Sequence, residues 1–150
     1  KYPYSEGGPA TQRDTAIRAL DITLQAHKVR NYSFVVMTRF DLNFKVCPWH
    51  YGNFVPGKIN FLWKEWCKEA WDDHKRTPDA IHLIPGPLLL AFREGVVTSD
   101  GNGKCLHTIW LKIAKVTGTT DTMNIMDGQY DRFIDSNTGV MPNPVYTIER

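Results

Sequence analysis

Residues 32–44, Tyr-Ser-Phe-Val-Val-Met-Thr-Arg-Phe-Asp-Leu-Asn-Phe, constrain the fold of this chain more than any other stretch. The first half is a run of β-branched and aromatic residues without Gly or Pro, the pattern of a strand buried on both faces of a sheet. The run then gives way to Arg39, Asp41 and Asn43 at alternate positions, and extended backbone directs alternate side chains to the same side. A strand ending in this way belongs to an α/β sheet, where ligands bind beyond the carboxyl ends of strands. One cation and two oxygen-bearing side chains at such an edge have the chemistry to hold a metal ion and an anionic group.

The flanking patterns alternate between helix and strand. Thr11-Gln12-Arg13-Asp14 has the form of a capping box, and an amphipathic helix should follow to about residue 27, with Ala16, Ile17, Leu20 and Leu24 as its apolar stripe. Residues 59–63 read as a second strand. Trp63, Trp66, Ala70 and Trp71 fall at helical spacing, which predicts a helix over residues 63–73 whose tryptophans serve packing rather than sugar stacking. Residues 75–78 break that helix. A short buried strand follows over 79–85, and Pro87 suits the first turn of a helix ending near Gly95. Residues 106–116 predict a fourth helix with Leu106, Ile109, Trp110 and Ile113 on one face, and 123–126 a weak strand. The tail from 127 is rich in turn formers. The alternation predicts an α/β fold with an open, mostly parallel sheet and flanking helices.

Totals narrow the classes. The chain has 150 residues, enough for one domain with its own core. A net charge of +2, with basic residues scattered among acidic ones, excludes nucleic acid as the expected partner. No apolar run reaches the length of a membrane span. Cys47, Cys67 and Cys105 have no metal-like spacing and are odd in number.

The residues of the opening stretch also carry a resemblance. An apolar strand ending in Thr38-Arg39-Phe40-Asp41-Leu42 resembles the strand that delivers the metal-binding acidic motif in GT-A type, nucleotide-sugar-dependent glycosyltransferases. Arg-Phe-Asp-Leu is especially similar to the transferases that build cell-surface or capsular glycans. In that pattern two aspartates flank one residue and bind a divalent cation, Mn2+ or Mg2+, which holds the diphosphate of the donor. Asp41 matches the first aspartate; Asn43 stands at the second and offers an uncharged oxygen. His107 matches the histidine ligand that many such enzymes take from their carboxyl-terminal half. Two more segments are similar: residues 79–92, where Asp79 opens a strand that ends in Pro and leads into an apolar helix, and the closing Asn143-Pro144-Val145-Tyr146.

The resemblance implies transfer of a sugar from a nucleotide-diphosphate donor to a glycan or protein-glycan hydroxyl. Arg39 would then meet a phosphate, and Asp79 or Asp127 would supply the carboxylate that removes the acceptor proton. In GT-A enzymes the nucleotide base is read mainly before the metal motif, yet only residues 1–31 precede this strand and the chain opens on Lys1. We therefore expect a single domain that is the carboxyl-terminal part of a larger transferase domain, its sheet open on the side where earlier βα units dock. A second class stays open, a non-catalytic carbohydrate-binding or interaction module with a transferase-like core. Cytoplasm and Golgi lumen both suit these readings.

Overall fold

A computed structural model describes residues 11–66, 75–99, 106–131 and 144–148. Four strands form the central sheet, in the order β1 (Phe34–Thr38), β5 (Ile81–Pro85), β3 (Ile59–Phe61) and β6 (Met123–Ile125). Two smaller pairings flank it, β2 (Leu42–Phe44) with β8 (Tyr146–Ile148) and β4 (Lys64–Trp66) with β7 (Gln129–Asp131). The α/β character agrees with the sequence; the expected parallel sheet does not. β5 runs antiparallel to both of its neighbours, and only β3 and β6 pair in parallel within the central sheet. Helix–strand alternation carries no information on direction, and an antiparallel strand needs no crossover helix to reach its neighbour.

The doubly buried strand is β5 rather than β1. All five residues of β5 are buried, whereas Val36 and Thr38 of β1 are exposed. Among the described residues β1 has only β5 as a strand partner, so it forms an edge of the sheet. Its apolar run reflects β-propensity as well as burial.

Three helices are described, α1 (Gln12–Arg30), α2 (Leu89–Val97) and α3 (Ile109–Thr117). The capping box of α1 is present, Thr11 and Asp14 exchanging side-chain-to-backbone hydrogen bonds at 3.2 Å each. The helix runs three residues beyond the expected end, to Arg30, and Asn31, with a left-handed φ of 50°, closes it. Ala16 and Leu20 join Phe92 and Val96 of α2 and Ile109 and Ile113 of α3 in a core against Ile59, Phe61, Ile84 and Met123 of the sheet. A second core lies around Ile81 and Leu83, on alternate positions of β5, with Leu62, Trp63, Met126, Val145 and Tyr146. Core residues thus lie on both faces of the sheet.

Two other local expectations change. Residues 64–66 are a strand, so the helix predicted from Trp63 does not begin there; residues 67–73 of it lie outside the described residues, as do Cys67 and Cys105. Trp63 is buried and stacks on Tyr146, ring centroids 6.2 Å apart, and pairing of 64–66 with 129–131 overrides the helical spacing of the tryptophans. The turn-rich tail contributes strands β7 and β8. None of the described helices is long and apolar enough to cross a membrane.

Candidate functional site

Because β1, β3 and β6 run one way and β5 the other, the carboxyl ends of three strands and the amino end of the fourth share one edge of the sheet. Thr38 pairs with Ile81, so Arg39 and Asp41 emerge beside Asp79. A wholly parallel sheet would have placed Asp79 at the far edge. The chain does not stay extended through the motif: it turns at Phe40 and Asp41 before β2 begins. Arg39 and Asp41 meet across that turn, Nε to Oδ1 at 2.9 Å and Nη2 to Oδ2 at 2.6 Å. Nη1 of Arg39 lies 4.0 Å from Oδ1 of Asp79. Asn43 pairs with Thr147 in the β2–β8 ladder and is exposed.

A cavity of about 460 Å³ opens here between α1 and the end of β1. Gln12, Ala16 and Ala19 wall one side, the segment from Met37 to Asp41 the other, and Asp79 and Leu106 complete the lining. The small side chains of α1 leave the room, and the size suits a small-molecule ligand.

Behind Asp79 the polar contacts continue inward. His107, which lies in a turn ahead of α3, places Nε2 3.5 Å from Oδ2 of Asp79 and Nδ1 3.0 Å from Oε2 of Glu65. Glu65 is buried on β4, and Oε2 also accepts from Nε of Arg76 at 3.0 Å. Gln12 donates to Oδ2 of Asp79 at 2.7 Å.

These neighbours set the charge states. Burial opposes ionisation of Asp79, but His107, the Gln12 hydrogen bond and Arg39 together hold its pKa below the usual value. Burial likewise opposes a charged His107, and the hydrogen bond and charge of Glu65, with Asp79, override it and raise the imidazole pKa. Asp41 is lowered chiefly by its hydrogen bond from Arg39. The edge therefore presents ionised carboxylates, the Arg39 guanidinium and an imidazole whose charged form its neighbours favour.

Comparison of the chain with protein-family models, with curated proteins and with solved structures finds no match. The site is therefore read from its own geometry.

Of the residues expected from the sequence, Arg39, Asp41 and Asp79 converge on the cavity, and His107 joins them through Asp79. Asp127 stands apart, after β6, where it takes a hydrogen bond from the Tyr51 hydroxyl. Two strands separate β6 from β1, on the order of 14 Å at the usual strand spacing. Of the three residues expected to hold a cation, Asp41 has both oxygens on Arg39, Asn43 sits in the β2–β8 ladder, and Nδ1 of His107 faces Glu65. Among the described residues no three His, Cys, Asp or Glu side chains gather in a metal-holding group. Glu65, Arg76 and Gln12 were not legible as site residues. Glu65 was hidden within the tryptophan spacing, and Gln12 had only its place in the capping sequence.

Proposed function

We propose that this chain takes part in glycosyl transfer, moving a sugar from a nucleotide-diphosphate donor to a hydroxyl of a glycan or other acceptor. The observation that supports it most is Arg39 standing between Asp41 and Asp79 on a cavity at the carboxyl end of β1. Transfer places growing negative charge on the departing diphosphate and requires a base for the incoming hydroxyl. Arg39 has the planar array of donors that matches phosphate oxygens. Its partner Asp41 is 38% exposed, so the bond between them is open to exchange with an anionic ligand. Asp79 is the base: Oδ2 is occupied by Gln12 and His107, leaving Oδ1 as the oxygen that accepts the proton.

A divalent cation, where one binds, adds positive charge at the diphosphate. Asp41, Asn43 and His107 are the side chains that would hold it, and the residues of this chain are assigned the binding and proton-transfer roles. The test is incubation with a panel of nucleotide-diphosphate sugars and glycan acceptors, with and without Mn2+, measuring nucleotide release and glycan product. Asp79→Asn should lower transfer by about 100-fold or more, in line with loss of a general base, while nucleotide-diphosphate binding persists. Glycan binding without turnover of any donor would select the non-catalytic module instead.

A further inference from the structure

Asp79 is the carboxylate to which the proposed chemistry assigns the proton, and its surroundings define how it is aimed. Glu65 is 2% exposed and already neutralised by Arg76, so charge balance alone does not call for a histidine beside it. Nδ1 of His107 nevertheless faces two acceptors, Oε2 of Glu65 at 3.0 Å and the Thr77 carbonyl at 3.1 Å. Neither partner can donate, and neither can the ionised Asp79 that Nε2 faces, so the imidazolium, a donor at both nitrogens, satisfies all three contacts; the neutral ring keeps its proton on Nδ1, where the two acceptors lie closer. The other nitrogen, Nε2, is thereby left to face Asp79. Backbone bonds fix the frame of this arrangement: Glu65 N–H donates to the Arg76 carbonyl at 2.9 Å, and Thr77 N–H to the His107 carbonyl at 2.9 Å.

We propose that Glu65 and His107 are positioning residues for Asp79, Glu65 fixing the imidazolium through Nδ1–H so that Nε2–H holds Oδ2 and Oδ1 is presented to the acceptor hydroxyl. The inference rests on the glycosyl-transfer reading. At 3.5 Å the Nε2 contact is longer than a formed hydrogen bond and within the range of an ion pair. The neighbours that complete the setting are Arg39 and Gln12 on Asp79 and Arg76 on Glu65.

The experiment has two arms. In the first, nitrogen NMR of 15N-histidine-labelled protein reads the His107 tautomer at alkaline pH. The Nδ1-protonated form is expected, and the Nε2-protonated form overturns the assignment of Glu65. In the second, steady-state transfer is measured for His107→Gln and His107→Ala, each with its thermal midpoint. His107→Ala should lower kcat by about tenfold or more with the donor KM within twofold, and His107→Gln, whose amide can still reach Asp79, should recover part of it. A fall in kcat that follows the loss of thermal stability equally in both variants makes His107 a brace and overturns the proposal. So does unchanged kcat in both. If the unmodified chain turns over no donor, it is the glycosyl-transfer reading that fails, and the tautomer measurement still decides the geometry.

Discussion

At the scale of single residues, two histidines act on stability in opposite directions. His82, on β5, is fully buried between Phe61 and Phe92, with ring centroids 5.6 and 5.2 Å away, and neither of its nitrogens has a hydrogen-bond partner. Burial pushes its pKa down to about 4. The folded state therefore binds its proton more weakly than the unfolded chain, and the stability associated with neutral His82 is complete above about pH 6.5. It is lost as pH falls from there toward 4, by roughly 3 kcal/mol over that window. His107 has the reverse sign: its raised pKa gives stability that is full below the ordinary histidine value and is lost as pH rises through the folded one. His82→Leu should raise the free energy of urea unfolding by about 1–3 kcal/mol at pH 7, since it removes an unsatisfied buried polar group. It should also flatten the acid limb of stability between pH 6.5 and 4. An unchanged acid limb would show that another group titrates there. A lone histidine in an apolar strand does not reveal in the sequence whether its nitrogens find partners.

At the scale of elements, the ends proved more legible than the pairings. The capping box at Thr11 and the Pro87 turn were readable because both are local chemistry, set by residues three apart or fewer. The direction of β5 was not, since it depends on which strands it meets, and neither was the strand at 64–66, whose partner lies more than sixty residues away. The part of the site that follows from the motif, Arg39 with Asp41, could be read from the sequence; its union with Asp79 follows from the antiparallel register of β1 and β5. That register has a tight point at Gly86, just after β5, whose N–H donates to the Ser33 carbonyl at 3.0 Å. A Cβ at Gly86 would stand 1.9 Å from the Tyr32 carbonyl oxygen, a backbone atom with no freedom to yield. Gly86→Ala should therefore cost several kcal/mol, about 2–4 by analogy with overpacked and strained sites, and part the amino end of β1 from β5. Hydrogen exchange of the β1 amides, measured beside the unfolding midpoint, checks both effects; native protection of those amides in the variant would contradict them.

At the scale of the whole molecule, the mixed sheet gathers charge at one edge, and that gathering makes the role of Asp41 decidable. Arg39 commits Nε and Nη2 to Asp41, and the pair is 39% and 38% exposed. An ion pair so exposed contributes about 0–1 kcal/mol to folding, so Asp41→Asn should leave the thermal midpoint nearly unchanged. Its effect on binding depends on what Asp41 does. Where Arg39 receives the diphosphate, Asp41 is a competitor for the guanidinium, and neutralising it releases those donors to the ligand. A nucleoside diphosphate should then bind Asp41→Asn several-fold more tightly than the unmodified chain in buffer containing EDTA, up to about tenfold for a competing pair worth roughly 1 kcal/mol. Where Asp41 ligates a cation with the diphosphate, the two chains should bind equally in EDTA, and only the unmodified one should gain affinity on adding Mn2+. Titration calorimetry in the two buffers separates these outcomes, with Arg39→Gln as the control that weakens binding in both if the guanidinium carries it. We expect the first outcome, because the carboxylate of Asp41 has both oxygens on Arg39.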